Sequence, residues 1–266
     1  MSFQPVLPIS GYAGWVFLNR TLESQQTAHA NSADQRRDVE YFSDRIGSVR
    51  SADDLVSDRR LLKVALGAFG LDNDIDNRFF IRKVLEEGTS EKTALANRLA
   101  DKSYKEFSEA FGFGNGTLPR TGLAGFAGQI VSAYQERQFE IAVGDQDEDL
   151  RLALTAQREL ADIAGSDASE DTKWYRILGS EPLRAVMETA LGLPEAIGQL
   201  DLERQLGMFR EKADRAFGAD DISQFAVSEN LDNLIKTFLL RAQIADGSGT
   251  MSSNSIALSV LSSGVS

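Results

Sequence analysis

Asp58-Arg-Arg-Leu-Leu-Lys-Val-Ala-Leu-Gly-Ala-Phe-Gly-Leu71 is the stretch whose reading decides the fold. An aspartate opens it, in the position where a short carboxylate satisfies the first free amides of a helix. Leu61, Val64 and Ala68 then recur at helical spacing, the signature of one buried helix face. Gly70 closes it. A glycine there takes the left-handed conformation without a Cβ clash, and the apolar residue after it folds back on the last turn. The same stop returns as Ala110-Phe-Gly-Phe113, Ala190-Leu-Gly-Leu193 and Ala216-Phe-Gly-Ala219. Leu71, Phe113 and Leu193 suit the packing role; Ala219 does so weakly. Four stops of one kind, in a chain rich in the strong helix formers Ala, Leu, Arg, Glu and Gln, predict an all-α protein.

Working outward, Ser10 precedes a helical pattern that carries Trp15, Leu18 and Leu22 and runs to about residue 30. Ser32-Ala-Asp-Gln35 has capping-box spacing and opens a helix with Val39, Phe42 and Ile46 on one face, stopping near Gly47. Ser51 starts a further segment. Beyond the opening stretch, Gly112-Phe-Gly-Asn-Gly-Thr-Leu-Pro-Arg-Thr-Gly122 is the most turn-rich part of the interior,. A long helix is expected over about 123–143, with Phe126, Ile130 and Tyr134 in register, and Asp145-Gln-Asp-Glu148 starts another through Ile163. Helices over 170–178, 181–191, 202–217 and 229–245 follow, with Ser180 and Ser228 as caps and Pro182 in a first turn,. The reading is a multi-helix globular protein of about ten helices in two packed lobes, 1–118 and 119–246, with a flexible Ser/Gly-rich tail at 247–266,. An internal echo favours two lobes: Leu61, Val64, Ala68, Gly70 and Leu71 recur at one offset as Leu183, Val186, Ala190, Gly192 and Leu193.

With 266 residues and 42% hydrophobic content, core size is not limiting. The net charge of -12, from 28 basic against 40 acidic residues, argues against nucleic acid, which is bound by clustered Lys and Arg that release counterions. The pairs Arg36-Arg37 and Arg59-Arg60 are diluted by neighbouring acids. The absence of cysteine excludes disulfides, thiolate nucleophiles and cysteine-bound metal, and fits a reducing cytoplasm,. Met1-Ser-Phe-Gln-Pro-Val-Leu-Pro8 lacks the basic and apolar regions of a signal peptide,, and no run is long enough for membrane insertion.

Catalytic chemistry finds little to stand on. Asp72-Asn-Asp74-Ile-Asp76 begins like a calcium loop, but Asn77 and Lys83 stand where glycine and a bidentate glutamate are needed; Leu150 and Ala156 spoil the Asp145, Asp147, Asp149 series in the same way,. Both read as helix caps. His29 is the single histidine, which rules out paired-histidine zinc motifs; in its polar stretch it is expected to be an exposed side chain. Gly112-Phe-Gly-Asn-Gly116 lacks the last glycine of a dinucleotide fingerprint and any preceding strand,. Arg120, Gly122, Gly125 and Gly128 form a candidate anion or helix-packing site, an arginine beside a helix N-terminus with three glycines near one helix face, where close packing is the better account. Among the aromatics, Tyr41 or Tyr175 is expected half exposed, because Tyr41-Phe42 and Trp174-Tyr175 cannot both face inward. In the tail, Ile256, Leu258, Val260 and Leu261 are a candidate partner contact. No catalytic residue, metal or cofactor is assigned.

Tyr41-Phe42, Ala52-Asp-Asp-Leu55, Asp58-Arg-Arg-Leu-Leu62, Ala68-Phe-Gly-Leu71, Lys83-Val-Leu85, Leu95-Ala-Asn97, Tyr104-Lys-Glu-Phe107 and Ala110-Phe111 together resemble a bacterial family catalogued as domain of unknown function 1217. Phe139-Glu140, Ala142-Val-Gly144, Leu150-Arg151 and Pro182-Leu-Arg184 resemble the second half of the same pattern. The resemblance implies a helical protein without an assigned activity, whose genes tend to sit among those of flagellar rod and basal-body components. The Ser-rich end departs from axial flagellar proteins, whose ends pair as long apolar-heptad helices. The expectation is therefore a non-enzymatic, flagellum-associated protein acting by protein–protein contacts, cytoplasmic or associated with the flagellar apparatus. The alternative is a helical module that binds a small ligand in a groove between its lobes. The sequence does not set the oligomeric state.

Overall fold

A computed structural model describes residues 3–262 apart from Asn115 and Thr117; for Glu195 and residues 246–262 the description covers the backbone alone. Among the described residues there are thirteen α-helices and no strand: α1 (Gly11–Ala30), α2 (Ala33–Arg45), α3 (Ala52–Ser57), α4 (Arg59–Gly67), α5 (Arg78–Glu87), α6 (Leu95–Arg98), α7 (Ser103–Phe111), α8 (Phe126–Gly144), α9 (Glu148–Gly165), α10 (Glu170–Gly179), α11 (Glu181–Leu191), α12 (Leu202–Phe217) and α13 (Ser228–Ser262). The all-α reading holds. The number exceeds ten partly because α6 is a single turn, and because α6 and α7 begin at Ala94 and Lys102, which offer no side-chain cap.

Where caps do form, single residues explain them. Ser51 accepts from the Asp54 amide at 3.1 Å while the Asp54 carboxylate accepts from the Ser51 amide at 3.0 Å, a complete reciprocal cap on α3,. Asp58 accepts from the amides of Arg60 and Leu61 at the start of α4. Asp147, and not Asp145, caps α9, through the Leu150 amide at 3.0 Å. Ser32 precedes α2 as expected, yet its side chain makes no capping bond, so the expected Ser32–Gln35 box is not formed.

All four glycine stops adopt positive φ: Gly70 at 72°, Gly112 at 72°, Gly192 at 63° and Gly218 at 85°. They are of two kinds. At Gly70 and Gly192 the following leucine amide reaches back five residues, Leu71 to the Leu66 carbonyl at 3.0 Å and Leu193 to the Glu188 carbonyl at 2.9 Å, and both leucines are buried; this is the Schellman arrangement. At Gly112 and Gly218 the glycine's own amide reaches back four residues, to the carbonyls of Ser108 and Asp214. The two Schellman stops are the two members of the sequence echo, and each has an arginine over the bare glycine face: Arg137 beside Gly70, with its Nε donating to the Ala68 carbonyl at 3.0 Å, and Arg241 beside Gly192. A Cβ at Gly192 would lie 2.6 Å from Arg241 Nη1, whereas one at Gly218 would meet nothing within 4 Å. Gly218→Ala is expected to cost about 1 kcal/mol from backbone strain alone. Gly192→Ala is expected to cost more, because the guanidinium must also move; chemical denaturation followed by circular dichroism orders the two.

Contacts divide the chain into two compact units, one of Met1–Val6 with Asn19–Gln146 and one of Leu7–Leu18 with Asp147–Ser266. In the first unit Phe42, Leu62, Leu66, Phe107 and Phe111 share a core with Phe126, Ile130 and Tyr134 of α8. The expected division after residue 118 therefore falls inside this unit: the turn-rich segment is a connection within it, because the apolar face of α8 completes its core. In the second unit α9, α11 and α13 pack on one another, with Trp174, Met187, Phe209, Phe225 and Phe238 fully buried. Among the described residues, no helix is long and apolar enough to cross a membrane.

Candidate functional site

The turn-rich segment ends in a single 3-10 turn, Arg120–Gly122, that is fastened from below. Thr121 is buried, and its hydroxyl donates to the Val49 carbonyl at 2.7 Å. The Arg50 guanidinium, 3.9 Å from where a Gly122 Cβ would lie, donates to the carbonyls of Gly47 and Val49 at 2.6 and 3.0 Å. On either side of this pinned turn, two leucines face solvent: Leu118 is 90% exposed and Leu123 62%. Arg120 is exposed between them, its stem lying over the bare face of Gly112. Arginine is enriched at interfaces, and the two exposed leucines beside it offer apolar area that a partner can bury.

The helix-packing reading of Gly122, Gly125 and Gly128 is corrected by this geometry. Gly125 has φ 85° and is the residue before α8, so the helix starts at Phe126 and includes Gly128 alone of the three. A Cβ at Gly125 or Gly128 would meet nothing within 4 Å, so neither allows a close helix approach within the chain. The tail residues Ile256, Leu258, Val260 and Leu261 lie outside the residues whose side chains are described.

The acidic clusters are occupied by protein partners. Asp72 accepts from Gln138 Nε2 at 2.8 Å, Asp74 accepts from Asn77 Nδ2 at 2.6 Å and from the Tyr104 hydroxyl, and Asp76 pairs with Arg59. Hydrogen bonding by Arg59, reinforced by its charge, holds the Asp76 carboxyl below the ordinary carboxylate range. Among the described residues no group of three or more His, Asp or Glu side chains is placed to hold a metal ion.

On α2 and α4 an open depression of about 470 Å³ is lined by Asp34, Arg37, Asp38, Arg60 and Lys63. Both of its carboxylates are paired within it, and its third cation, Arg60, is held by a carbonyl and a ring. Asp34 pairs with Arg37, Asp38 with Lys63 at 2.6 Å, and Arg60 donates to the Arg37 carbonyl at 3.0 Å while its guanidinium lies 3.9 Å from the centre of the Tyr41 ring. The Tyr41 hydroxyl in turn donates to Asp58 at 2.7 Å. The half-buried tyrosine expected from the adjacent pair Tyr41-Phe42 is thus the support of an arginine, and Tyr175 is 41% exposed.

His29 departs from the expected exposure. It is 6% exposed, with its ring edge-on between Phe3 and Phe139 at centroid distances of 6.0 and 5.8 Å. Burial lowers its pKa, since an apolar surround disfavours the charged imidazole. Sequence reasoning missed it because both aromatic neighbours lie far along the chain. Lys173 was missed as well: it is 4% exposed, and its ammonium donates to the Ala164 carbonyl at 3.0 Å and the Ser223 hydroxyl at 2.6 Å, with the Glu170 carboxylate 3.3 Å away.

A family model described as "Protein of unknown function (DUF1217)" matches residues 68–231. No curated protein matches the chain. Among solved structures, the chain is similar to the crystal structure of a protein from Agrobacterium tumefaciens, with 25% sequence identity and a TM-score of 0.74 over 91% of this chain and 99% of that one.

Proposed function

The chain belongs to the DUF1217 family of proteins of unknown function, and from that premise we propose a non-enzymatic factor of the bacterial flagellum that acts through protein–protein contacts in assembly, export or regulation. The observation that carries the reading is the pinned turn with Leu118 and Leu123 exposed on either side of Arg120. Burying one leucine against a partner is worth about 1.5–3 kcal/mol, and a support fixed by the buried Thr121 spares most of the ordering cost on binding. Phe79, 72% exposed beside the half-buried Arg82 whose guanidinium lies 5.6 Å from its ring centre, adds an exposed aromatic to the same unit. The flagellar assignment rests on what the resemblance implies of the family's gene neighbourhoods.

Affinity purification with cross-linking from a flagellated host tests both parts. The expected result is recovery of flagellar components, reduced at least tenfold by Leu118→Asp/Leu123→Asp. Both leucines are exposed, so the double variant should unfold within about 0.5 kcal/mol per site of the parent. Normal swimming and normal hook-basal bodies after deletion of the gene would refute the flagellar role. Unchanged recovery by the double variant would refute the turn as the contact.

A further inference from the structure

Residues Phe3–Val6 lie in the first unit as an extended segment, clasped by side chains. Their burial alternates: Phe3 and Pro5 face the protein, Gln4 and Val6 face solvent, the two-residue period of an extended chain. The buried Gln25 amide engages both backbone groups of Val6, accepting from its amide at 2.7 Å and donating to its carbonyl at 3.2 Å, and Gln25 Nε2 also lies 2.8 Å from Thr21 Oγ1. Gln146 Nε2 donates to the Pro5 carbonyl at 2.9 Å. The Phe3 ring packs on His29, which packs on Phe139. The side-chain amides thus do what a neighbouring strand does in strand addition: they pair with main chain regardless of sequence, while inward pockets at alternate positions select side chains.

We propose that this groove, formed by the C-terminal half of α1 with Phe139 and Gln146, is a docking site for an extended segment of a partner protein with the pattern aromatic-x-Pro-x, and that Phe3–Val6 occupies it as an internal stand-in which the partner displaces. This rests on the protein-contact reading and names the chemistry of one contact. The seated segment supplies the recognition pattern directly. Val6 is held through its backbone and not through a buried side chain, since its amide and carbonyl bond to Gln25 while the residue is 56% exposed. A tethered segment competes at an effective concentration of about millimolar, so a groove filled 99% of the time from within binds an outside ligand about 100-fold more weakly than an open one.

The probe is a fluorescent peptide of residues Ser2–Ile9, read by anisotropy against the full-length chain. Phe3→Ala/Val6→Pro weakens the internal segment by removing its ring and the amide that Gln25 accepts, and leaves the groove intact. The expected result is binding at least tenfold tighter to this variant than to the parent, about tenfold lost on adding Gln25→Ala, and loss of binding when the peptide's phenylalanine is alanine. No binding to the Phe3→Ala/Val6→Pro chain at millimolar peptide overturns the proposal, as does binding indifferent to Gln25. Concentration-dependent dimers of the parent that Gln25→Ala abolishes would overturn the partner assignment in favour of a second copy of this chain. Loss of flagellar partners on changing Leu118 and Leu123, with no peptide binding here, would sink this inference and leave the protein-contact reading standing.

Discussion

Lys173→Ala is expected to lower the stability of the second unit by about 3 kcal/mol, near the bottom of the range for breaking a buried ion pair from one side. The ammonium is almost fully buried and bonded to the Ala164 carbonyl and the Ser223 hydroxyl. Removing it leaves that carbonyl without this donor and Glu170 without its counter-charge. The cost stays low in the range because the Glu170 side chain is 31% exposed and still accepts from the Ile222 amide at 2.6 Å and from Ser223. The tryptophans report on this directly: Trp15 and Trp174 are the two in the chain, both are buried, and both belong to this unit. Trp174 Nε1 also donates to the Asp220 carbonyl at 2.9 Å, in the connection that carries Ile222 and Ser223. Denaturant unfolding followed by tryptophan fluorescence should show the shift, and a loss below about 1 kcal/mol would contradict the role given to Lys173.

The same cluster has a pH signature. Burial by itself pushes the Glu170 carboxyl up, but hydrogen bonds from Ser223 and the Ile222 amide, with the Lys173 ammonium, outweigh it and hold the pKa below the ordinary 4.5. A carboxyl lowered by folding contributes stability above its unfolded pKa and loses it as pH falls through the folded value. The parent should therefore lose part of the second unit's stability below about pH 4.5. Lys173→Met, which removes the charge and keeps the length, should lose less over that interval.

What the sequence revealed follows from how far each determinant reaches. Helix starts at Asp58 and stops at Gly70, Gly112, Gly192 and Gly218 depend on one residue and its immediate neighbours, so they were legible. The echo between Leu61–Leu71 and Leu183–Leu193 was legible for the same reason, and both members end in one hydrogen-bond pattern. Burial of polar groups was not. Lys173 sits in a stretch that reads as a solvated helix face; it is inside because partners 9 and 50 positions away accept hydrogen bonds from its ammonium. His29 is inside because Phe3 and Phe139 enclose it. The glycines at 122, 125 and 128 misled because their common face assumed a helix from about Leu123, and Gly125 at positive φ places the start at Phe126. The residues of the candidate turn were singled out by sequence through Arg120, but the exposure of Leu118 and Leu123 follows from Thr121 being pinned to Val49, a contact 72 positions apart.

Phe111→Ala is expected to cost the first unit about 3–5 kcal/mol, the usual toll for emptying a buried phenylalanine site. Phe111 is fully buried, with Phe107, Phe126 and Phe113 at centroid distances of 5.0, 5.2 and 5.8 Å. The Phe126 contact is edge-to-face, an arrangement that adds to simple burial. A cavity here cannot be filled easily, because α7 ends at Gly112 in a left-handed turn and α8 is already committed to the core through Ile130 and Tyr134. Phe111→Leu, which keeps most of the volume, should recover more than half of the loss, and Phe79→Ala, at an exposed ring, should stay within about 0.5 kcal/mol of the parent. Unfolding by denaturant with circular dichroism separates the three. The consequence extends to the exposed turn. Phe111 and Phe126 bracket the segment that carries Leu118, Arg120 and Leu123, and their contact ties its two ends together. Hydrogen exchange at the Leu123 amide, which donates to the Arg120 carbonyl at 2.9 Å, should therefore rise in Phe111→Ala under conditions where the unit is still folded, and partner recovery should fall with it. Protection at Leu123 equal to that of the parent would show that the Thr121–Val49 bond holds the turn without help from Phe111.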